Sequence, residues 1–253
     1  MNWLHSVFYI KDDTDYNHTA IAISDGIRVK GLNVWLMISS ALLASIGLDT
    51  NSTAVIIGAM LISPLMSSIL GAGFSVGVQD KELFIRSVAN LFYITFFSLL
   101  TSVVYFLITP LGDPTAEIMA RTQPTVLDIG VAFFGGIAGI ISTSRKEKIN
   151  AIPGVAIATA LMPPLCAAGF GLATGRWEVF GGAFYLFFIN AVFIAFSTYL
   201  IVKLLQFPLK NYVDKAKQKR VARLAFLVVI LASIPSFWFL YTVYQKNRTK
   251  HII

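Results

Sequence analysis

The sequence predicts an all-α polytopic membrane protein of about seven transmembrane helices, arranged as a 3+3 inverted repeat with broken or kinked helices and one extra C-terminal helix. Two compositional facts indicate this class. Hydrophobic residues make up 56% of the 253 residues, and charged residues only 13%, whereas a soluble domain carries about 25% charged residues. A third observation is that apolar stretches of about 20 residues, the length that crosses ~30 Å of hydrocarbon, recur along the chain.

Seven apolar stretches satisfy this length requirement. They are Leu32–Leu48, Ala54–Val78, Leu83–Thr109, Val126–Ser142, Ile152–Ala173, Val179–Leu205 and Leu224–Tyr244. The chain then divides into an N-terminal segment (1–31), a first repeat (32–109), a linker (110–125), a second repeat (126–205), a basic loop (206–223), a seventh span (224–245) and a tail (246–253). Residues 1–31 are charged and lack a cleavable apolar core, so no signal peptide is expected.

Basic residues assign the two sides of the membrane. With a cytoplasmic N-terminus, 15 of the 20 Lys and Arg residues lie in inside segments and 5 lie outside. The predicted orientation is therefore N-terminus inside and C-terminus outside. The basic run Lys210–Arg223 then faces anionic lipid at the cytoplasmic surface, which explains the net charge of +7 better than nucleic-acid binding does.

The chain also repeats itself at an offset of 100 residues. Comparison of Ala54–Ser98 with Gly154–Thr198 gives ten identities in 45 positions, where apolar composition alone would give roughly three or four. The identities include Pro64 with Pro164 and Asn90 with Asn190. Because each unit crosses the membrane three times, the second copy is upside down, which is typical of secondary transporters with a midplane site between the repeats. An old duplication kept for packing alone is the alternative.

Residues that are costly in a membrane define the candidate pathway for a substrate or ion. Proline frees backbone groups, which hydrocarbon tolerates only where protein or a water-filled cavity surrounds them, and a buried amide needs hydrogen-bond partners. The predicted pathway residues are Ser63, Pro64, Ser67, Asn90, Thr159, Pro163, Pro164 and Asn190. For the prolines the alternative is a simple helix kink, and for Ser63, Ser67 and Thr159 it is close helix packing.

Charged residues are predicted at the two rims of this pathway. At the external rim, Glu117 and Arg121 have i,i+4 spacing and Asp128 begins the fourth span. At the cytoplasmic rim, Arg86 precedes Asn90 by one turn. Each group also has a structural alternative: a solvated ion pair for Glu117 and Arg121, a helix N-cap for Asp128, and a membrane-surface anchor for Arg86.

The sequence lacks the residues that an enzyme active site or a metal site requires. Gly73–Gly77 matches G-x-S-x-G, but no strand precedes it and the three histidines lie near the termini. The sequence has one cysteine, Cys166, and no nucleotide-binding fingerprint. We expect no catalytic residue, no metal and no cofactor. The expected partners are the lipid bilayer, a small solute or ion and a second copy of the chain, since Gly135 and Gly139 have a helix-packing spacing.

Three motifs resemble a known family. They are GLDTNSTAVIIGAMLISPLM from Gly47, EIMARTQPTVLD from Glu117 and GVAIATALMPPLCAAG from Gly154. Over about residues 28–205 they are similar to a widespread prokaryotic group of hydrophobic membrane proteins, domain of unknown function family 389. The resemblance implies the cytoplasmic membrane of a bacterium or archaeon and supplies no substrate.

The preferred function is a secondary transporter or permeation pathway for a small solute or ion, and the competing class is a membrane scaffold or partner-binding protein. A polar cavity at the level of Pro64 and Pro164 favours transport. A dry, tightly packed interior at that level favours the scaffold.

Overall fold

A computed structural model describes residues 14–27, 31–109, 112–145, 161–210, 219–221 and 223–235. These residues are helical and contain no β-strand; Thr14 and Arg145 form an isolated β-bridge. The helices are α1 (Tyr16–Ile27), α2 (Gly31–Asp49), α3 (Thr53–Leu61), α4 (Leu65–Val78), α5 (Lys81–Ile108), α6 (Ala116–Ala120), α7 (Val126–Ser144), α8 (Met162–Ala173) and α9 (Trp177–Leu204). Residues 223–235 form a further helical stretch, α10. The first part of the fifth predicted span and the end of the seventh lie outside the described residues.

Three helices, α5, α7 and α9, are long and apolar enough to cross a membrane. The pair α3 and α4 passes the same test together, with a bend of 52° between them. Apolar helices of fewer than 18 residues are Asn33–Asp49, within α2, and α8. The part of the chain that the structure describes therefore carries three to four candidate spans, which makes it an all-helical membrane protein.

The predicted second span is two helices rather than one. Residues 62–64 interrupt it, and Pro64 is the N-cap of α4. The nine residues of α3 and the fourteen of α4 are about 13 Å and 21 Å long, so neither crosses ~30 Å of hydrocarbon alone.

The bent pair nevertheless runs from one end of the molecule to the other. The Tyr105 hydroxyl, near the end of α5, donates a hydrogen bond to the Asp49 carboxylate at the end of α2 over 2.9 Å. Because α5 has 28 residues and is about 42 Å long, its first residue lies at the end of the molecule opposite Asp49. Since α3 and α4 connect Asp49 to the start of α5, together they cross this distance.

The two shorter helices α4 and α8 lie at the centre of the packing. Each of them packs against both long helices, α5 and α9, while α2 packs against α5 and α7 against α9. Residues 161–170 of α8 and the turn before it are all buried. The main hydrophobic core therefore surrounds α8 and the first half of α4.

Glycines permit the closest helix crossings. A Cβ on Gly73 of α4 would overlap the Ala195 carbonyl oxygen of α9, and a Cβ on Gly169 of α8 would press on Ser102 of α5. Helices that approach this closely need a residue without a side chain at the crossing. Gly73 and Gly169 therefore set how near α4 and α8 come to the long helices of the other half of the chain.

The helices match in length in pairs along the chain. The helices α2 and α7 both have 19 residues, and α5 and α9 both have 28. A residue in the left-handed region precedes each long helix, Gln79 with φ 61° and Gly175 with φ 68°. Lys81 and Trp177 begin these helices. These two helix starts are therefore 96 residues apart, one helical turn short of the offset of 100 found by direct comparison.

Candidate functional site

The buried face of α5 carries polar side chains along its length. Ser87, Asn90, Ser98 and Ser102 are all buried on it, in a helix whose other buried residues are apolar. We call these four residues the α5 stripe. Asn90 lies on this face and is 5% exposed. Its Nδ2 donates to the Ser68 hydroxyl oxygen over 2.9 Å, while its buried Oδ1 has no hydrogen-bond partner among the described residues.

Ser68 is the residue that the sequence missed. It lies on α4 one turn after Pro64, and it is fully buried. The sequence predicted that the buried Asn90 amide needs a hydrogen-bond partner, and that partner is the Ser68 side chain. The only sequence signal for it was its place in a run of small residues, which also includes Ser67.

The neighbouring predicted residues are arranged differently. Ser67 lies beside Gly26 of α1, where a Cβ on that glycine would be 3.0 Å from Ser67. The Ser63 hydroxyl accepts a long contact of 3.5 Å from the Leu65 N–H. Ser63 and Pro64 are half-buried at the bend. Ser67 therefore packs towards α1, and the Ser63 contact is local to the interruption; neither is a described partner of Asn90.

Pro163 and Pro164 occupy the first turn of α8. Backbone N–H groups there have no partner within a helix, so proline removes no helical hydrogen bond from the described part of the chain. Both prolines are buried in the apolar core. They begin a helix rather than interrupt one within the described residues, and Thr159 lies outside those residues.

Asn190 is 2% exposed on α9. It is the fourteenth residue of that helix, whereas Asn90 is the tenth residue of α5, counted from Trp177 and Lys81 respectively. By helix position Asn90 corresponds to Leu186. The two asparagines therefore lie one turn apart along their helices rather than at equivalent positions.

The outer half of the α5 stripe continues the polar face. The Ser98 hydroxyl is fully buried and has no hydrogen-bond partner among the described residues. Ser102 donates to the Cys166 carbonyl oxygen over 2.9 Å, and its oxygen lies 3.0 Å from that of Ser45. The Cys166 thiol is fully buried beside the Ala41 carbonyl oxygen, at 3.7 Å.

A polar cluster lies at the C-terminal end of α5. It consists of Asp49, Asn51, Thr53, Tyr105, Thr115, Glu117 and Arg121. We call it the outer cluster, after the side to which the predicted orientation assigns it. Asp49 is 7% exposed and accepts from Tyr105. The Glu117 carboxylate accepts from the Thr53 hydroxyl at 2.6 Å and from Arg121 at 3.2 Å. Through its hydrogen bond with Thr53, this ion pair therefore also connects α6 to the turn between α2 and α3.

Asp128, the third predicted rim residue, caps a helix. Its carboxylate accepts from the Thr125 N–H at 2.7 Å, and the Thr125 hydroxyl accepts from the Asp128 N–H. This reciprocal pair is a capping box at the start of α7. Asp49 and Tyr105, which the sequence did not single out, occupy the buried outer position instead.

A cavity of about 460 Å³ lies at the opposite end of α5. Its walls come from α1, the end of α4, Asp80, the start of α5 and residues 207–210. We call it the inner cavity, after the side to which the predicted orientation assigns it. Its charged lining residues are Asp25, Asp80, Glu82, Arg86 and Lys210. Arg86 pairs with Glu82 on the same helix, and both side chains are about two-thirds exposed, at 64% and 65%.

Asp80 lines the inner cavity and also caps the start of α5. One carboxylate oxygen caps the helix by accepting from the Leu83 N–H at 3.0 Å, and the other accepts from the Lys210 ammonium at 2.7 Å. Burial alone would raise the pKa of Asp80, but these hydrogen bonds from Lys210 and Leu83 lower the pKa below its ordinary value of 3.8. The hydrogen bond to Asp80 raises the pKa of Lys210.

Comparisons with known proteins agree on one family. The sequence model of a family described as "Domain of unknown function (DUF389)" matches residues 60–196. An uncharacterized protein of Methanocaldococcus jannaschii is 30% identical over 178 residues, which are 70% of this chain and 55% of that protein. The match thus spans about half the length of this relative. No solved structure matches the chain.

Proposed function

This chain belongs to the DUF389 family of proteins of unknown function, and we propose that it is a secondary transporter or permeation pathway for a small solute or ion. The observation that carries the proposal is the Asn90 amide. It is buried at 5% exposure in an apolar helix, and its oxygen has no protein partner among the described residues. Leaving such a group without a partner costs about 1–3 kcal/mol, so a polar ligand that approaches this oxygen is favoured.

The interruption between α3 and α4 supports the same proposal. Asn90 bonds to Ser68, one turn after the bend at residues 62–64. Transporters commonly place their sites beside discontinuous helices near the bilayer midplane. A polar site therefore lies at intermediate depth between α4 and α5. It consists of the bend, Ser68 and Asn90.

An inverted repeat in the register of 96 residues is part of the proposal. Comparison of Ala54–Ser98 with residues 150–194 gives eleven identities in 45 positions, including Ala-Gly-Phe at 72–74 and 168–170. The glycine contacts are reciprocal in this register: Gly73 approaches Thr198, and Gly169 approaches Ser102. Adding 96 to 73 and 102 gives 169 and 198, the exchange of partners that a two-fold axis requires. These contacts support the repeat independently of sequence identity.

Seven spans with the N-terminus inside a prokaryotic cytoplasmic membrane complete the proposed architecture, with anionic lipid at the basic inner face. The crossing made by α3 and α4 together supports three crossings in the first unit. A reporter fused after Ser144 should be cytoplasmic, and one fused near Thr115 should be external. Exchanged results at both sites would contradict the orientation.

A membrane scaffold remains the second candidate, favoured by the fully buried and apolar surroundings of α8. Flux through proteoliposomes separates the two. Glycerol and urea entry would be followed by light scattering, and Na⁺, K⁺, H⁺ and Cl⁻ flux with ion-sensitive dyes. We expect flux of at least one probe above that of protein-free liposomes and a fall of at least tenfold in Asn90→Leu.

Thr101→Val is the matched control, since the Thr101 hydroxyl donates only to the Phe97 carbonyl of its own helix. It should keep full flux. Absence of flux for every probe with the unmodified chain would favour the scaffold, and full flux in Asn90→Leu would remove this site from the pathway.

A further inference from the structure

We infer that the α5 stripe is the route through the protein and that the species it carries is a small monovalent cation. The inference rests on the proposed function and narrows it to one substrate class. It depends on three observations: polar groups along the buried face of one helix, the kind of atoms they present, and the charges at both ends.

The stripe is long enough to cross the hydrocarbon. Asp80 caps the start of α5 and Tyr105 contacts Asp49 near its end. The 25 residues between Asp80 and Tyr105 extend about 37 Å, more than the ~30 Å of a bilayer core. The stripe residues between them place a buried polar side chain in every turn but two, the turns of Leu83 and Ile94. The route therefore joins the inner cavity to the outer cluster.

The unpartnered atoms along the route are oxygens that can accept hydrogen bonds. Asn90 Oδ1 and Ser98 Oγ are both buried and both lack a hydrogen-bond partner among the described residues. Neutral carbonyl and hydroxyl oxygens of this kind replace the hydration shell of small cations in selective pathways. After Arg86, α5 contains no Lys or Arg, and neither do α4 and α8. An anion would find no positive charge at this depth.

Both ends of the route carry carboxylates. The described lining of the inner cavity has three carboxylates and two basic side chains. The outer cluster contains the carboxylates of Asp49 and Glu117 and the guanidinium of Arg121. Asp49 is 7% exposed and accepts its hydrogen bond from a neutral group, the Tyr105 hydroxyl. A carboxylate at an entrance attracts cations and repels anions.

Asp49→Asn tests the outer end. The substitution removes the charge but keeps an oxygen that can accept from Tyr105. In proteoliposomes with matched gradients of Na⁺, K⁺ or H⁺, we expect cation flux in the unmodified chain to exceed Cl⁻ and glycerol flux by at least tenfold. Asp49→Asn should lower the cation flux several-fold. Asp113→Asn is the matched control, since that carboxylate is fully exposed away from the stripe and its loss should leave flux unchanged.

Ser98→Ala keeps the test decisive if Asp49→Asn does not fold. It removes an oxygen that makes no hydrogen bond within the described residues, and we expect it to fold and to lower cation flux several-fold. A pH dye and Na⁺ or K⁺ dyes, each used with its own gradient, assign the cation as proton or alkali metal. Flux of Cl⁻ or glycerol without cation flux would overturn this inference and leave the proposed function standing. Unchanged cation flux in Ser98→Ala would also overturn it, whereas no flux of any probe would overturn both.

Discussion

The two halves of the chain, taken over the described residues of 31–108 and 126–204, share glycine crossings and place buried polar side chains differently. At positions 96 residues apart, α5 carries Ser87, Asn90 and Ser98 where α9 carries Ala183, Leu186 and Ile194, whereas Ser102 matches Thr198. The buried face of α9 has its own polar residues, Asn190, Ser197 and Thr198. The glycine crossings, by contrast, are present in both halves at Gly73 and Gly169. Close crossing is therefore common to both halves, and α9 does not carry a full copy of the α5 stripe.

The largest effect should come from filling the shared crossings. Gly73→Ala and Gly169→Ala each place a methyl group where backbone or side-chain atoms of a long helix already lie, and overpacking of this kind costs about 1–3 kcal/mol. Unfolding in mild detergent, followed by helical circular dichroism, measures the loss. Gly181→Ala is the control, because its Cβ would meet nothing within 4 Å. A loss at only one of the two crossings would break the equivalence of the halves.

Substitutions in the turns before the long helices should change the stability of the protein by less, and in opposite directions. Gly175→Ala forces a side chain into the left-handed region and should cost about 1 kcal/mol. Gln79→Gly relieves the same backbone conformation and should stabilise the protein by less than this, since the bond from the Gln79 amide to the Val76 carbonyl is lost. If both substitutions change the free energy of unfolding in the same direction, the two turns are not equivalent. Unfolding in mild detergent, followed by circular dichroism, measures both changes.

The Asn90–Ser68 contact should show an energetic coupling. A double-mutant cycle on Asn90→Leu and Ser68→Ala should give an interaction energy of about 0.6 kcal/mol, up to ~1.7, the range for interhelical hydrogen bonds in membranes. Leu186→Ala with Ser68→Ala is the control, since Leu186 has no polar group to pair with Ser68, and the two changes should be additive. Additivity of the first pair would mean that the 2.9 Å bond contributes nothing to stability.

The smallest effect concerns the ends of the long helices. Asp80 pairs with Lys210 at the inner end, while Arg176 pairs with the fully exposed Asp113 at the outer end. Because the pKa of Asp80 is lowered, its contribution is present at neutral pH and is lost only as the pH falls through a value below 3.8. The raised pKa of Lys210 moves the alkaline limit above 10.5. The melting temperature of Asp80→Asn should therefore trail that of the unmodified chain by a constant amount between about pH 5 and 9, and the gap should close in acid.

Local features of this fold could be predicted from the sequence, and contacts between distant helices could not. Pro64 predicted an interruption, and the spacing of Glu117 and Arg121 predicted their ion pair, because both depend on neighbours within a few residues. The register of the repeat could not be fixed, since ten identities at one offset and eleven at another are nearly equal in a chain rich in apolar residues.

Partners across helix crossings were also beyond the sequence. Ser68 looks like any member of a small-residue run until its crossing with α5 is known. Asp49 looks like a loop residue until Tyr105, 56 positions later, is seen to contact it. Both contacts depend on which helix faces meet, and a single sequence does not show which faces meet.

The burial of Cys166 has a practical consequence for the chemistry of labelling. Its sulfur is enclosed on all sides in α8, and a thiol in such surroundings does not form the thiolate that maleimides attack. The unmodified chain is therefore already silent toward thiol reagents, although it is not free of cysteine. Single cysteines introduced at the exposed positions of the two ends of α5 can then be modified in intact cells without first removing a residue that packs at the centre of the fold.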